Sequence, residues 1–135
     1  MKELSIYTDG GARGNPGPAG IGYVIFEGDR QIADHGEYIG ETTNNQAEYK
    51  ALIAGLTHAK KLGAESVKVF MDSELIVRQM RGEYKIKNED LKPLAAEVFK
   101  LSNRFSSLSF NHIPREKNKI ADALVNQALD EKNGN

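Results

Sequence analysis

Leu4, Ile6 and Thr8 alternate with Ser5, Tyr7 and Asp9, a period of two that predicts a short strand ending at a carboxylate. The next stretch, residues 10–18, is Gly-Gly-Ala-Arg-Gly-Asn-Pro-Gly-Pro, dense in turn formers, and predicts a loop. Residues 20–27 and 31–39 read as a second and a third strand. Gly28 and Asp29 between them predict a hairpin turn. The period then lengthens. Glu48, Leu52, Gly55 or Leu56, and Ala59 share one face of a helix over about residues 45–62. Thr43 or Asn44 can cap its start and Gly63 can end it. An acid, Glu48, thus heads the stripe expected to face the core.

Residues 67–71 are mostly apolar and predict a fourth strand buried on both faces, again ending at a carboxylate, Asp72. A short helix is expected over 73–81, stopped by Gly82. Another is expected over 89–102, burying Leu91, Leu94, Ala95, Val98 and Leu101. Residues 108–112 predict a fifth strand. A last helix over about 117–130 would bury Ala121, Leu124, Val125 and Ala128. Three strands come first and helices then alternate with strands. That order predicts an α/β fold, a mixed sheet with helices packed on its faces. The expected organisation is one domain, residues 1–131, with 132–135 as a frayed tail.

Composition narrows the chemistry. The 135 residues include no cysteine, which excludes a disulfide scaffold, a thiol nucleophile and a Cys-ligated metal. No apolar run reaches membrane-spanning length and the opening residues are unlike a signal peptide, so a cytoplasmic protein without a membrane partner is expected. The net charge of -1 gives no global attraction to a polyanion. Such a partner would have to be met by a local basic patch or by bound cations. No exposed heptad or apolar stripe points to a dimer, and a monomer is expected.

The chemistry lies in four acids. Asp9 and Asp72 end strands, Glu48 points inward from a helix, and Asp122 opens the last helix among apolar neighbours. Singly, each has a plain structural role: Asp9 in a turn, Asp72 capping a helix from just ahead of Ser73, Asp122 answering a helix dipole. Gathered at one point, they would repel one another and require protons or cations. Hard divalent cations prefer such oxygen ligands, and a pair of them can activate water and stabilise a departing phosphodiester oxygen. The glycine-rich stretch lacks the lysine of a nucleotide-binding P-loop and does not fit the dinucleotide fingerprint.

Four segments carry a resemblance. Tyr7-Thr8-Asp9-Gly10-Gly11 through Gly14-Asn15-Pro16-Gly17 resembles the opening of a type 1 ribonuclease H. Thr42-Thr43-Asn44-Asn45-Gln46-Ala47-Glu48 is similar to that family's second motif and Met71-Asp72-Ser73 to its third. The segment from His112 through Asn118 to Asp122 is similar to its fourth. They arrive in family order across residues 7–122.

The resemblance implies a ribonuclease H-like fold, a five-stranded mixed sheet flanked by helices. It implies an endonuclease that hydrolyses the RNA strand of an RNA–DNA hybrid and leaves 5′-phosphate and 3′-hydroxyl ends. By the same resemblance, Asp9, Glu48, Asp72 and Asp122 match the carboxylates that hold two Mg2+ or Mn2+ ions. His112 matches a mobile histidine that aids turnover. Gly10 and Gly11 let backbone amides approach the sugar, while Asn15, Asn44 and Asn45 match residues that reach the minor groove. Thr43 and Asn88 match a pocket for a phosphate of the DNA strand.

Three features depart from the family pattern. Pro114, with no glycine near it, stiffens the loop after His112, so Arg115 is expected to share that histidine's role through a phosphate contact. Glu41 replaces an arginine beside the phosphate pocket, which leaves double-stranded RNA open as a further substrate. Only a short segment joins Asp72 to Asn88, where many relatives carry a basic protrusion. Arg78, Arg81, Lys85 and Lys87 remain as a reduced basic patch around Tyr84, and a compact form without a hybrid-binding domain is expected. His35 and His58 match nothing and read as surface residues. The competing reading is a catalytically silent module of the same fold that binds hybrid or double-stranded RNA.

Overall fold

The structure, a computed structural model, describes residues 2–134. Five strands form one mixed sheet in the order β3-β2-β1-β4-β5. The strands are β1 (Glu3–Ala12), β2 (Gly17–Glu27), β3 (Arg30–Thr42), β4 (Ser66–Met71) and β5 (Ser107–His112). The helices are α1 (Asn44–Lys61), α2 (Glu74–Met80), α3 (Lys92–Ser102) and α4 (Lys119–Gly134), with a single 3-10 turn over Arg115–Lys117. β1, β2 and β3 pair antiparallel; β1 with β4, and β4 with β5, pair parallel. Hairpins join the first three strands, and helical crossovers join the parallel ones, as their geometries demand. No described helix is long and apolar enough to cross a membrane.

The expected elements are present, with several corrections. β1 does not end at Asp9. It runs to Ala12, with Gly10 paired to Ile21 and Gly11 to Gly20. The two glycines therefore do not form a turn. They are strand positions where another backbone comes close. A Cβ on Gly10 would collide with the carbonyl of Ala47 at the start of α1. β4 is not apolar on both faces, because Val67, Val69 and Met71 are buried while Lys68 is exposed and Phe70 half-buried. α3 begins at Lys92, not at residue 89, with Pro93 in its first turn where the missing N–H is harmless. α4 begins at Lys119 and runs beyond Asp130 to Gly134; Asn135, the end of the expected tail, lies outside the described residues.

One face of the sheet carries the main core. Leu4, Ile6, Tyr23, Ile25, Val67, Val69 and Met71 pack there with Tyr49, Leu52 and Leu56 of α1, and with Ile76, Val77, Ala95 and Val98 of α2 and α3. The stripe on α1 is buried as its spacing predicts, Glu48 included. His58 is not a plain surface residue: half-buried at the edge of this core, its Nδ1 lies 2.8 Å from the Tyr23 hydroxyl. The opposite face is covered by α4, which buries Ala121, Val125 and Leu129, leaving Leu124 and Ala128 half-buried. α4 lies low because β2 offers it no side chain at Gly22, where a Cβ would stand 2.5 Å from the Ala121 carbonyl oxygen.

Candidate functional site

Strand alternation and register bring the four acids together. Thr8 and Gly10 face α1, so Asp9 between them faces the side that α4 covers. Its cross-strand partner is Gly22, over which α4 passes, and the first turn of α4 carries Asp122. The parallel register pairs Tyr7 with Phe70, and two residues further on this brings Asp72 level with Asp9. Glu48 arrives from the first turns of α1, drawn close by Gly10, whose N–H donates to Glu48 Oε1 at 3.0 Å. Carboxylate oxygens of Asp9, Glu48 and Asp72 all lie within 4.8 Å of one another. Asp122 stands beside Asp9, close enough to share a hydrogen bond with it.

These acids line a polar cavity of about 320 Å³, with Gly10, Gly11, Ala12, Asn44, Arg115, Val125 and Asn126. A wider groove of about 400 Å³ lies between Tyr7, Phe26 and Ile120, and among the described residues its only acids are Asp29 and Glu116, both exposed. The acidic cavity is electrostatically costly. Burial, then the charges of Asp72 and Asp122, push Asp9 up to about 8. Burial, then Asp9 and Asp72, hold Glu48 well above the ordinary carboxylate range. A set of hard oxygen donors that resists ionising together fits divalent cations, which would relieve the repulsion that burial amplifies.

The remaining predicted residues divide by position. Asn15 and Asn44 form a clamp at the cavity's rim: the Ala12 N–H donates to Asn44 Oδ1 at 3.1 Å, and the Asn44 N–H donates to Asn15 Oδ1 at 3.0 Å. Thr43 is the N-cap of α1, its Oγ1 accepting from the Gln46 N–H at 3.2 Å. Asn45 lies half-buried in the first turn of that helix. Arg115, exposed in the 3-10 turn, is the one cation lining the cavity among the described residues. His112 ends β5 opposite Met71, one residue from Asp72, but is exposed and outside the cavity lining. Asn88 stands apart in the turn before α3, its Oδ1 accepting from the Asp90 N–H at 2.8 Å. Asp72 does not cap α2; Ser73 does, with Oγ accepting from the Ile76 N–H.

The reduced basic patch is smaller than its residue count. Arg78 binds Glu74 at 3.0 Å and Glu83 at 3.1 Å, and sits 5.4 Å from the Tyr84 ring centroid. Arg81 donates to the Phe110 carbonyl at 2.8 Å and lies 3.9 Å from Glu83. Two of the four cations are thus committed to partners. Glu41 is exposed on β3 opposite Pro18.

Sequence reasoning gave no role to Asn118 or Asn126. Asn118 is 1% exposed and its Nδ2 donates to both the Thr8 carbonyl, at 2.9 Å, and Asp72 Oδ2, at 3.1 Å. Asn126 Nδ2 reaches Asp122 Oδ2 at 3.4 Å. The signal for both was their spacing, four residues before and four after Asp122.

A family model described as reverse transcriptase-like matches residues 7–128. A bifunctional protein of Mycobacterium tuberculosis is 46% identical over 130 residues, which is 95% of this chain but 36% of that protein. The chain thus spans about a third of the length of this relative. The crystal structure of RNase H1 from the archaeon Halobacterium salinarum is similar with a TM-score of 0.93 and 42% identity, over 96% of this chain and 98% of that one. LC11-RNase H1, solved in complex with an RNA/DNA hybrid, gives 0.91 and 52% identity over 96% of this chain and 98% of that one.

Proposed function

We propose, because the chain belongs to the type 1 ribonuclease H family, that it is an endonuclease hydrolysing the RNA strand of RNA–DNA hybrids. The observation that carries this reading is the meeting of Asp9, Glu48, Asp72 and Asp122 in one polar cavity at the sheet's end. Those four residues would hold divalent cations, Mg2+ or Mn2+. Two such ions, when bound, supply an activated water and a counter-charge for the departing oxygen. Cleavage would leave a 5′-phosphate and a 3′-hydroxyl.

The chain's own side chains position the substrate. Arg115 offers guanidinium donors to a phosphate oxygen at the cavity's edge, the pairing such donors suit best. Thr43, at the N-terminus of α1, and Asn88 would receive a phosphate of the DNA strand, where a helix start already favours an anion. Gly10 and Gly11 leave no side chain between the backbone and a ribose 2′-hydroxyl, the group that tells RNA from DNA. Asn15, Asn44 and Asn45 would face the minor groove. His112, beside the end of β4, would serve product release and not bond breaking.

End-labelled hybrid tests the reading, alongside matched double-stranded RNA, single-stranded RNA and double-stranded DNA. Each is incubated with Mg2+, with Mn2+ and with chelator. Internal cuts in the hybrid's RNA strand, lost with chelator, are expected. Comparable cutting of double-stranded RNA would mark the effect of Glu41. Folded protein that retains hybrid on a filter yet cuts no substrate with either metal would replace the enzyme with a silent binding module.

A further inference from the structure

Asn118 is buried in exposed surroundings. It ends the 3-10 turn, and its neighbours Glu116, Lys117, Lys119 and Ile120 are all exposed, whereas Asn118 is 1% exposed. Its side-chain nitrogen spends both protons on acceptors, the Thr8 carbonyl and Asp72 Oδ2. The opposite amide orientation would set an oxygen against a carbonyl and a carboxylate, so the orientation is fixed. Its own Oδ1 is buried without a hydrogen-bond partner among the described residues. An orphaned buried oxygen costs stability, which argues that packing alone does not select an amide here. The backbone of the same residue also contributes, because its carbonyl accepts the Asp122 N–H at 3.1 Å.

One residue therefore reaches the strand that carries Asp9, the Asp72 carboxylate, and the turn that carries Asp122. The amide is neutral, and that matters chemically. An ammonium or guanidinium in its place would neutralise Asp72 and compete with a cation. An amide orients the carboxylate and leaves its charge in place.

We propose that Asn118 is a positioning residue that fixes Asp72 against Asp9 and thereby sets how tightly the acidic cluster takes divalent cations. The proposal rests on the reading of the cluster as a cation site. It requires no step with nucleic acid, so the test uses the metal alone. Mn2+ is titrated calorimetrically into the full chain, into Asn118→Ala and into Asn118→Ser, each melted beforehand in chelator. Asn118→Ala is expected to weaken Mn2+ by roughly 10–100-fold, the usual scale for losing a partner that orients a metal ligand. Asn118→Ser keeps one donor and should fall between the two. A folded Asn118→Ala with unchanged Mn2+ affinity would overturn the proposal.

A second readout covers the case in which the variants do not fold. In the unaltered protein, the Asn118 side-chain amide resonances should move as Mg2+ is added and saturate with the metal. Resonances that stay fixed through saturation would overturn the proposal as well. A protein that binds Mn2+ in this Asn118-dependent way but cuts no hybrid would refute the nuclease and leave the role of Asn118 standing.

Discussion

Asp9 is 9% exposed and Glu48 5% exposed, with Asp72 within reach of both, and they hold protons longer than free carboxylates would. The sign of the consequence follows. Asp9 ionises near 3.8 in the unfolded chain and at about 8 in the folded one, so across that window the folded state binds more protons. Its stabilising effect is complete below the unfolded value and is lost as pH rises through the folded one. Melting in chelator should therefore show a temperature that falls from pH 5 to pH 8. Asp9→Asn should flatten that fall, and added Mg2+ should raise the melting temperature most at the alkaline end. Asp72→Asn removes a charge from the cluster and should melt no lower than the unaltered chain. Its cleavage of hybrid should drop by roughly a thousandfold, as expected when several kcal/mol of charge stabilisation are lost. At this scale the sequence exposed the acids well, because their motifs frame them. It hid Asn118, whose type and position suit an ordinary helix cap, and it hid the Tyr23 contact of His58, which depends on a strand and a helix meeting.

Elements position those residues through close backbone approach. α4 rests on β2 at Gly22, directly across the strand pair from Asp9, so the height of this helix above the sheet sets where Asp122 stands. Gly22→Ala must lift α4 or bend the strand. A loss of about 1–3 kcal/mol is expected in urea unfolding, the usual cost of overpacking. Cleavage under conditions where the variant is fully folded should fall further than Leu124→Ala, which trims the half-buried face of the same helix without raising it. Periodicity made the helices and strands readable, since the buried stripes of α1 and α3 follow it closely. The extent of β1 was not readable. Gly-Gly carries the same local signal in a turn as in a strand that must admit another backbone, and only the packing of α1 decides between them.

Across the whole molecule, charge would govern the proposed binding of hybrid. A chain with net charge -1, two of whose four patch cations are held by Glu74 and Glu83, offers few contacts to a phosphate backbone. Each cation engaged on a nucleic acid steepens the salt dependence, so KM for hybrid should rise only gently with salt. Glu41→Arg should lower KM, steepen that dependence and favour hybrid over double-stranded RNA, all measurable in one titration series. The order of elements along the chain announced a mixed sheet flanked by helices. The strand order β3-β2-β1-β4-β5 was not legible, because hydrophobic spacing does not say which edge a crossover returns to.

The clamp between Asn15 and Asn44 has a consequence for base discrimination. An amide ordinarily faces both ways, giving and receiving. Here each side-chain oxygen already accepts a backbone N–H, which leaves the nitrogen's donors as the larger part of what the amide offers a ligand. Every base pair shows an acceptor along its minor-groove edge, a purine N3 or a pyrimidine O2, whatever its identity. Placed at the minor groove as proposed, a pair of amides whose oxygens are already engaged would meet all of them alike. Cuts along a mixed-sequence hybrid should be spread with little regard to base, each site chosen by sugar and backbone shape and not by the letters it spells.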